Sequence, residues 1–277
     1  MRNNLYKKMR RSFVHASSIA MMVAFAVGCS DNEVAGGASG DAGVVAIADK
    51  QIAGVAQKGP FVTGSNVVLK ETSADGSLKA TGREFLATIR SDKGDFIIDD
   101  VNLECQYVRL TATGYYESET TNKNSVCQVS LNALSDVSDR DVINVNVFTH
   151  LEYGRTLNLV EKGKSFVEAQ KQAHSELMKN FGYEWLSEDS ENLDVTDTSE
   201  AARALKSISS FLDAAMHNAA EDVDESVRCE ASQEIIDIMA DLFSRSGDFS
   251  GDFKTKYARE ETVRIFLLEI SSWKDFN

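Results

Sequence analysis

Proline is almost missing from this chain, with Pro60 the single one in 277 residues. Helices formed here therefore run without a ring that removes a donor and kinks them. A membrane-spanning run is missing too. The longest apolar stretch has an uninterrupted core of only Ile19 to Val27, about half of the ~20 residues a crossing helix needs. The zinc spacings His-Glu-x-x-His and Cys-x-x-Cys are absent, as are the Gly-x-Ser-x-Gly elbow, the phosphate-cradling loop and the dinucleotide fingerprint. No internal repeat occurs. Basic residues are scarce: of 29 Lys and Arg, five precede residue 29, leaving 24 against 43 Asp and Glu, a formal charge of −19. Such a surface repels phosphate backbones and anionic headgroups, which excludes nucleic acid as a partner and a basic patch as a membrane anchor.

What is present begins with an address. Arg2, Lys7, Lys8, Arg10 and Arg11 form a basic start without an acid, and the short apolar core follows. Together they predict a secretory signal over residues 1–28. The ending Ala26-Val27-Gly28-Cys29 resembles the lipobox of bacterial lipoproteins, with Ala where that family prefers Leu. The resemblance implies that Cys29 is acylated and becomes the mature N-terminus, an ordinary cleaved signal being the alternative. Acyl chains such as palmitate hold a protein on the bilayer at about 0.8 kcal/mol per buried methylene. Residues 29–50 then read as a flexible tether, rich in Gly, Ala and Ser to about Ala46. Its acidic start, Ser30-Asp31-Asn32-Glu33, resembles the export signal that carries some lipoproteins to the cell surface. The expected location is the outer membrane, lipid-anchored and surface-exposed.

Two patterns divide the remainder, which is long enough for one large domain or two small ones. Residues 51–135 alternate with period 2: Val67 and Leu69; Phe85, Ala87 and Ile89; Phe96 and Ile98; Val108, Leu110 and Ala112; Cys127, Val129 and Leu131. Gly76 and Gly94 stand in the intervening turns, where positive φ is needed. Residues 136–277 change to helical spacing. Ser165 and Glu168 form a capping box, and Phe166, Ala169, Ala173, Leu177 and Phe181 make one stripe. Leu205, Ile208, Leu212, Ala215 and Ala219 make a second, and Ala231, Ile235, Ile238 and Leu242 a third. A last apolar helix includes Val263, Phe266 and Ile270. The expected class is α+β, an N-terminal antiparallel β-sandwich followed by a C-terminal helical bundle. The stretches "GSNVVLKET", "FLATIRSDKGDFIIDDV" and "YVRLTATGYY" are similar to the carboxypeptidase regulatory-like domain, a transthyretin-type sandwich. Gly94, Phe96, Val101, Tyr107, Gly114 and Tyr115 carry that likeness over residues 51–118, and it implies a non-catalytic accessory module. "GVAQKGPFVTGS" and "VNVFTHLE" also look like stretches of uncharacterised bacterial surface lipoproteins.

Candidate chemistry is thin. With Cys29 lipidated, Cys105 and Cys127 are the candidate disulfide in an oxidising compartment. They lie in neighbouring β segments, although strand parity points Cys127 inward and Cys105 outward, and free buried thiols are the alternative. His150 shares a helical stripe with Tyr153, Leu157 and Val160 and reads as a core residue. His174 and His217 lie on other helices. Glu184 to Glu200 is dense in acids but lacks the glycine and regular spacing of a calcium loop. It reads as a solvated loop, with Thr198 or Ser199 capping the next helix. No metal, cofactor or catalytic residue is expected. Tyr115, Tyr116, Trp185 and Trp273 are the candidate ligand-facing aromatics, since planar rings stack on sugar faces. The expected role is a binding or assembly accessory for an envelope protein or polysaccharide, not an enzyme. A hydrolase with an unfamiliar carboxylate site and a purely structural lipoprotein are the rivals.

Overall fold

A computed structural model describes residues 43–219 and 224–273, all within a unit that begins at residue 36. The segment read as a signal, Cys29 and most of the segment read as a tether lie outside the described residues. The described residues fold as seven strands and five α-helices: β1 Ile47–Gln57, β2 Asn66–Thr72, β3 Ala80–Thr88, β4 Asp95–Leu103, β5 Tyr107–Gly114, β6 Val129–Asp136, β7 Val145–Asn146, α1 Val147–Glu161, α2 Phe166–Asn180, α3 Glu200–Ala219, α4 Glu225–Ser246 and α5 Glu260–Trp273. This is a mixed α/β architecture, consistent with the α+β class. Strand β1 opens at Ile47, four residues inside the segment read as tether.

One sheet orders its strands β3-β2-β5-β6, all antiparallel. The other orders them β4-β1-β7, with β4 antiparallel and β7 parallel to β1. Register explains the alternation in the sequence. Val67 faces Ala112, which faces Leu131; Leu69 faces Leu110, which faces Ala133. All six are fully buried, so each row is an apolar stripe running across three strands. Gly94 turns the chain between β3 and β4 at φ +83, and a Cβ there would sit 2.4 Å from the Ala56 carbonyl oxygen. Only glycine fits both demands.

The helical stripes are buried as their spacing requires: Phe166, Ala169, Ala173 and Leu177 on α2, Leu205, Ile208, Leu212 and Ala215 on α3, and Ala231, Ile235, Ile238 and Leu242 on α4. Ser165 and Glu168 close the capping box on α2, each side chain accepting from the other residue's backbone N–H. A second box, Asn146 with Thr149, starts α1 directly from β7. Helix α1 lies against β6, α2 and α4. Its buried Arg155 grips both carboxylate oxygens of Glu176 on α2, at 2.7 and 3.0 Å, and reaches the Arg245 carbonyl at the end of α4, 3.3 Å away. The α4 C-terminus needs Gly247 at φ +80, where an added Cβ would collide with Glu176. One apolar cluster runs from Ile52 in β1 through Phe148, Leu177, Leu212 and Leu242 to Ile270 in α5.

Two expectations are corrected here. Cys127 pairs with Cys229 on α4, not with Cys105, which is a buried free thiol. The antiparallel register puts Tyr107 opposite Asp136 and Gly114 opposite Val129. Cys105 therefore lies beyond one end of the β5–β6 pair and Cys127 beyond the other. An eight-residue strand separates them by about 27 Å, far beyond the reach of a disulfide. The acidic segment is also not simply solvated. Leu186, Ser190, Glu191, Leu193 and Val195 are buried, although the expected cap holds, Ser199 Oγ accepting from Ala202 N–H at 3.0 Å.

Candidate functional site

The buried segment forms one wall of a cleft of about 620 Å³. Helix α2 and the β6–β7 connection supply the others. Asparagines pin the segment: Asn146 Nδ2 donates to the Ser190 carbonyl at 2.7 Å, and Asn144 Nδ2 to the Leu193 carbonyl at 3.1 Å. Gln57 at the end of β1 adds two more bonds, donating to Asp194 and accepting from Val195 N–H. These bonds satisfy backbone groups that burial would otherwise leave unpaired. They also set Ser190 and Glu191, in a single 3-10 turn, against the floor of the cleft.

His174, Glu152 and Ser190 meet there. Glu152 Oε1 lies 2.9 Å from His174 Nδ1 and accepts from Ser190 Oγ at 2.7 Å. His174 Nε2 is 3.0 Å from the Leu186 carbonyl. A carbonyl only accepts, so Nε2 carries a proton, and the Glu152 carboxylate draws a second onto Nδ1. Burial alone lowers the imidazole pKa, but Glu152 and the Leu186 carbonyl outweigh it and the net shift is upward. An acyl-transfer triad needs serine and acid on opposite ring nitrogens. Ser190 instead shares Nδ1 with the acid, 3.3 Å away, and its hydroxyl proton is committed to Glu152. The trio is a clamp on the loop, not a nucleophile with its base.

Glu191 is the cleft's second titratable group. It is 3% exposed; its Oε2 accepts from Gln170 Nε2 at 2.9 Å and lies 3.4 Å from Arg140 Nη1. Its Oε1 has no hydrogen-bond partner among the described residues, and neither does Ser135 Oγ, the hydroxyl that faces this carboxyl. Burial raises the Glu191 pKa to about 7, against the pull of Arg140, Ser135 and Gln170. Lys171, Lys179, Asp139 and Glu184 stand around the cleft.

The four aromatic candidates separate. Trp185 is half exposed, lies edge-on to Tyr183 with centroids 6.0 Å apart, and is flanked by the cleft residues Glu184 and Leu186. Trp273 packs on Phe211 and donates from Nε1 to Tyr183 Oη at 3.3 Å. Tyr183 thus brings the two tryptophans into one aromatic chain. Tyr115 is exposed elsewhere, on the chain after β5, while Tyr116 is buried. His150 and His217 fall apart from the cleft. His150 is buried, its Nδ1 accepting from Asn132 N–H at 3.1 Å, and burial lowers its pKa to about 4.

A second buried polar assembly links β1 to α3. Lys58 is fully buried, with Nζ 3.0 Å from Glu119 Oε2, 2.9 Å from the Ser209 carbonyl and 3.4 Å from Asp213 Oδ1. Asp213 Oδ1 also accepts from Tyr116 Oη at 2.9 Å, and Oδ2 from Ser118 and Thr120 at 2.7 and 2.5 Å. Burial raises the Asp213 pKa, but Lys58 and the three hydroxyls bring it down to about 2.

Sequence reasoning passed over Glu152, Ser190, Glu191, Lys58, Glu119 and Asp213. For two of them a signal existed. Ile52, Gly54 and Ala56 set the inward parity of β1, and Lys58 continues it. Asp213 sits one residue after Leu212, within the inward arc of α3. The other carboxylates carry no marker, because the chain holds 43 acids and burial arises from the fold. Among the described residues no cluster of His, Cys, Asp and Glu has the arrangement of a metal site, and no helix is long and apolar enough to cross a membrane. Comparison with protein-family models, curated proteins and solved structures found no match.

Proposed function

We propose that this chain is a lipid-anchored envelope protein that binds a polar polymer, a polysaccharide or an extended segment of an envelope protein, without catalysis. Acylated Cys29 holds it on the outer membrane and presents the folded part at the surface. In this reading the two sheets form a sandwich of the carboxypeptidase regulatory-like type, and the helices a bundle behind it. The observation that carries the proposal is the cleft beside α2. It brings together the buried carboxyl of Glu191 in its wall, charges of both signs at the rim and, on the chain between its lining residues Glu184 and Leu186, the exposed ring of Trp185. Its His–Glu–Ser group is tied up in a geometry that activates no nucleophile. Concave polar groups beside an aromatic ring are what ligand recognition uses.

The test is binding by the purified lipoprotein to arrayed envelope glycans and to proteins recovered from solubilised envelopes. Retention by one of these, weakened at least tenfold by Trp185→Ala, is the expected result. A blank array together with no specific envelope partner would remove the proposal. The anchor is tested separately: radiolabelled palmitate enters the protein and is lost in Cys29→Ala. Incorporation into the variant would contradict the anchor alone.

A further inference from the structure

From the buried assembly between β1 and α3 we infer that Lys58 and Asp213 join covalently, through an amide between Nζ and the Asp213 side-chain carbon, with Glu119 carrying the protons. The amine and the carboxyl are already in contact, Nζ lying 3.4 Å from Oδ1, so no search through solution separates them. Lys58 is 0% exposed, so its amine is shielded from water, while the Asp213 carboxyl lies in the wall of a cleft of about 270 Å³ through which the released water can leave. The Ser209 carbonyl, 2.9 Å from Nζ, and the Tyr116 ring, 4.9 Å away, fix the direction of the amine.

The atoms balance without any co-reactant. The Lys58 ammonium passes a proton, by way of Glu119 Oε2 3.0 Å away, to the Asp213 carboxylate; the carboxyl is then the neutral acid that an amine can attack, and the freed lone pair forms the N–C bond. The oxyanion that develops on Asp213 lies among the hydroxyls of Tyr116, Ser118 and Thr120, donors placed to stabilise charge as in an oxyanion hole. A second proton leaves nitrogen for Glu119 and is returned to the departing Asp213 hydroxyl, and the C–O bond breaks to release one water. One ammonium and one carboxylate vanish, Glu119 is regenerated, and nothing is oxidised or reduced. Two charges that were costly to keep buried become a neutral amide. Asp213 is the acceptor rather than Glu119 because its two oxygens hold the three hydroxyl donors. Glu119 Oε1 is engaged by Gly59 N–H and Ser209 Oγ, and Oε2 faces the amine.

The bond ties the end of β1 to α3 across 155 positions, which suits a protein exposed to the shear and proteases of an envelope. The test is peptide mass spectrometry of the purified native protein, reduced, denatured and digested with trypsin. The expected result is a branched species joining residues 51–70 to residues 207–228, uncleaved after Lys58 and lighter than the two peptides together by one water, about 18 Da. Asp213→Ala and Glu119→Gln should yield separate linear peptides with cleavage after Lys58. Complete cleavage after Lys58 in the native protein would overturn the inference, and needs no variant to fold. A branch carried by Glu119 would overturn the choice of acceptor. An undiminished branch in Glu119→Gln would overturn the proton-carrying role.

Discussion

Glu191 sits in an environment that departs from what its type suggests, and it makes stability depend on pH. Its folded pKa of about 7 exceeds the ordinary 4.5 because burial disfavours the charge. The protonated form is therefore favoured by folding. That contribution is complete below pH 4.5 and is lost as pH rises through about 7. The size, from the two values, is on the order of 3 kcal/mol. Glu191→Gln keeps the shape and removes the titration, so between pH 5 and pH 8 it should gain stability relative to the parent by that amount, read by urea unfolding. An unchanged difference across the range would contradict a neutral buried carboxyl. His150 acts with the opposite sign. Its folded pKa of about 4 lies below the ordinary 6.5, again through burial, so its contribution is present above pH 6.5 and is lost as pH falls towards 4. The two slopes overlap between pH 4.5 and 6.5 and oppose each other there. The parent's own pH profile should accordingly be flatter in that window than that of His150→Phe or Glu191→Gln.

At the scale of elements, caps and stripes make separable contributions. Ser165→Ala removes the acceptor for Glu168 N–H at the start of α2 and should cost about 1 kcal/mol. Leu177→Ala, fully buried on the same helix, should cost about 2–5 kcal/mol through lost transfer and the cavity left behind. Urea midpoints of the two variants give the comparison, and a larger loss for Ser165→Ala would contradict the burial of that stripe. The elements were legible in the sequence for the same physical reasons. The rows containing Val67 and Leu69 alternate because one face is dry, and Phe166 to Leu177 repeats at helical spacing because one face is dry. Register was less legible, and the disulfide shows why. Period-2 alternation tells which face Cys127 occupies but not which helix will arrive opposite it, and α4 lies 102 residues away in the chain. The segment 184–200 misled for a related reason. Its acids mark it as polar, yet Asn144, Asn146 and Gln57 supply the partners that let its backbone be buried, and Asn144 and Asn146 lie at a short strand within the stretch read as helical. The cleft was therefore illegible as a site, even though Trp185 at its edge was singled out.

At the scale of the molecule, long-range ties recur. The disulfide closes the span from Cys127 to Cys229. By restricting the unfolded chain over about 100 residues it should stabilise by about 4 kcal/mol. Cys229→Ser should lower the unfolding free energy by that order, and adding reductant to the parent should reproduce it; identical midpoints with and without reductant would contradict the pairing. The functional account rests on the cleft beside α2. Its central claim, that the cleft is a recognition site, is tested most directly by fluorescence. The chain has two tryptophans, and Trp273→Phe leaves Trp185 as the single reporter beside the cleft. Titrating this variant with purified envelope polysaccharide fractions, and then with soluble envelope proteins, should produce a saturable change in emission for one of them, at least tenfold weaker when Glu191→Ala is added. Emission that stays constant across every fraction, from protein whose circular dichroism matches the parent, would contradict the claim.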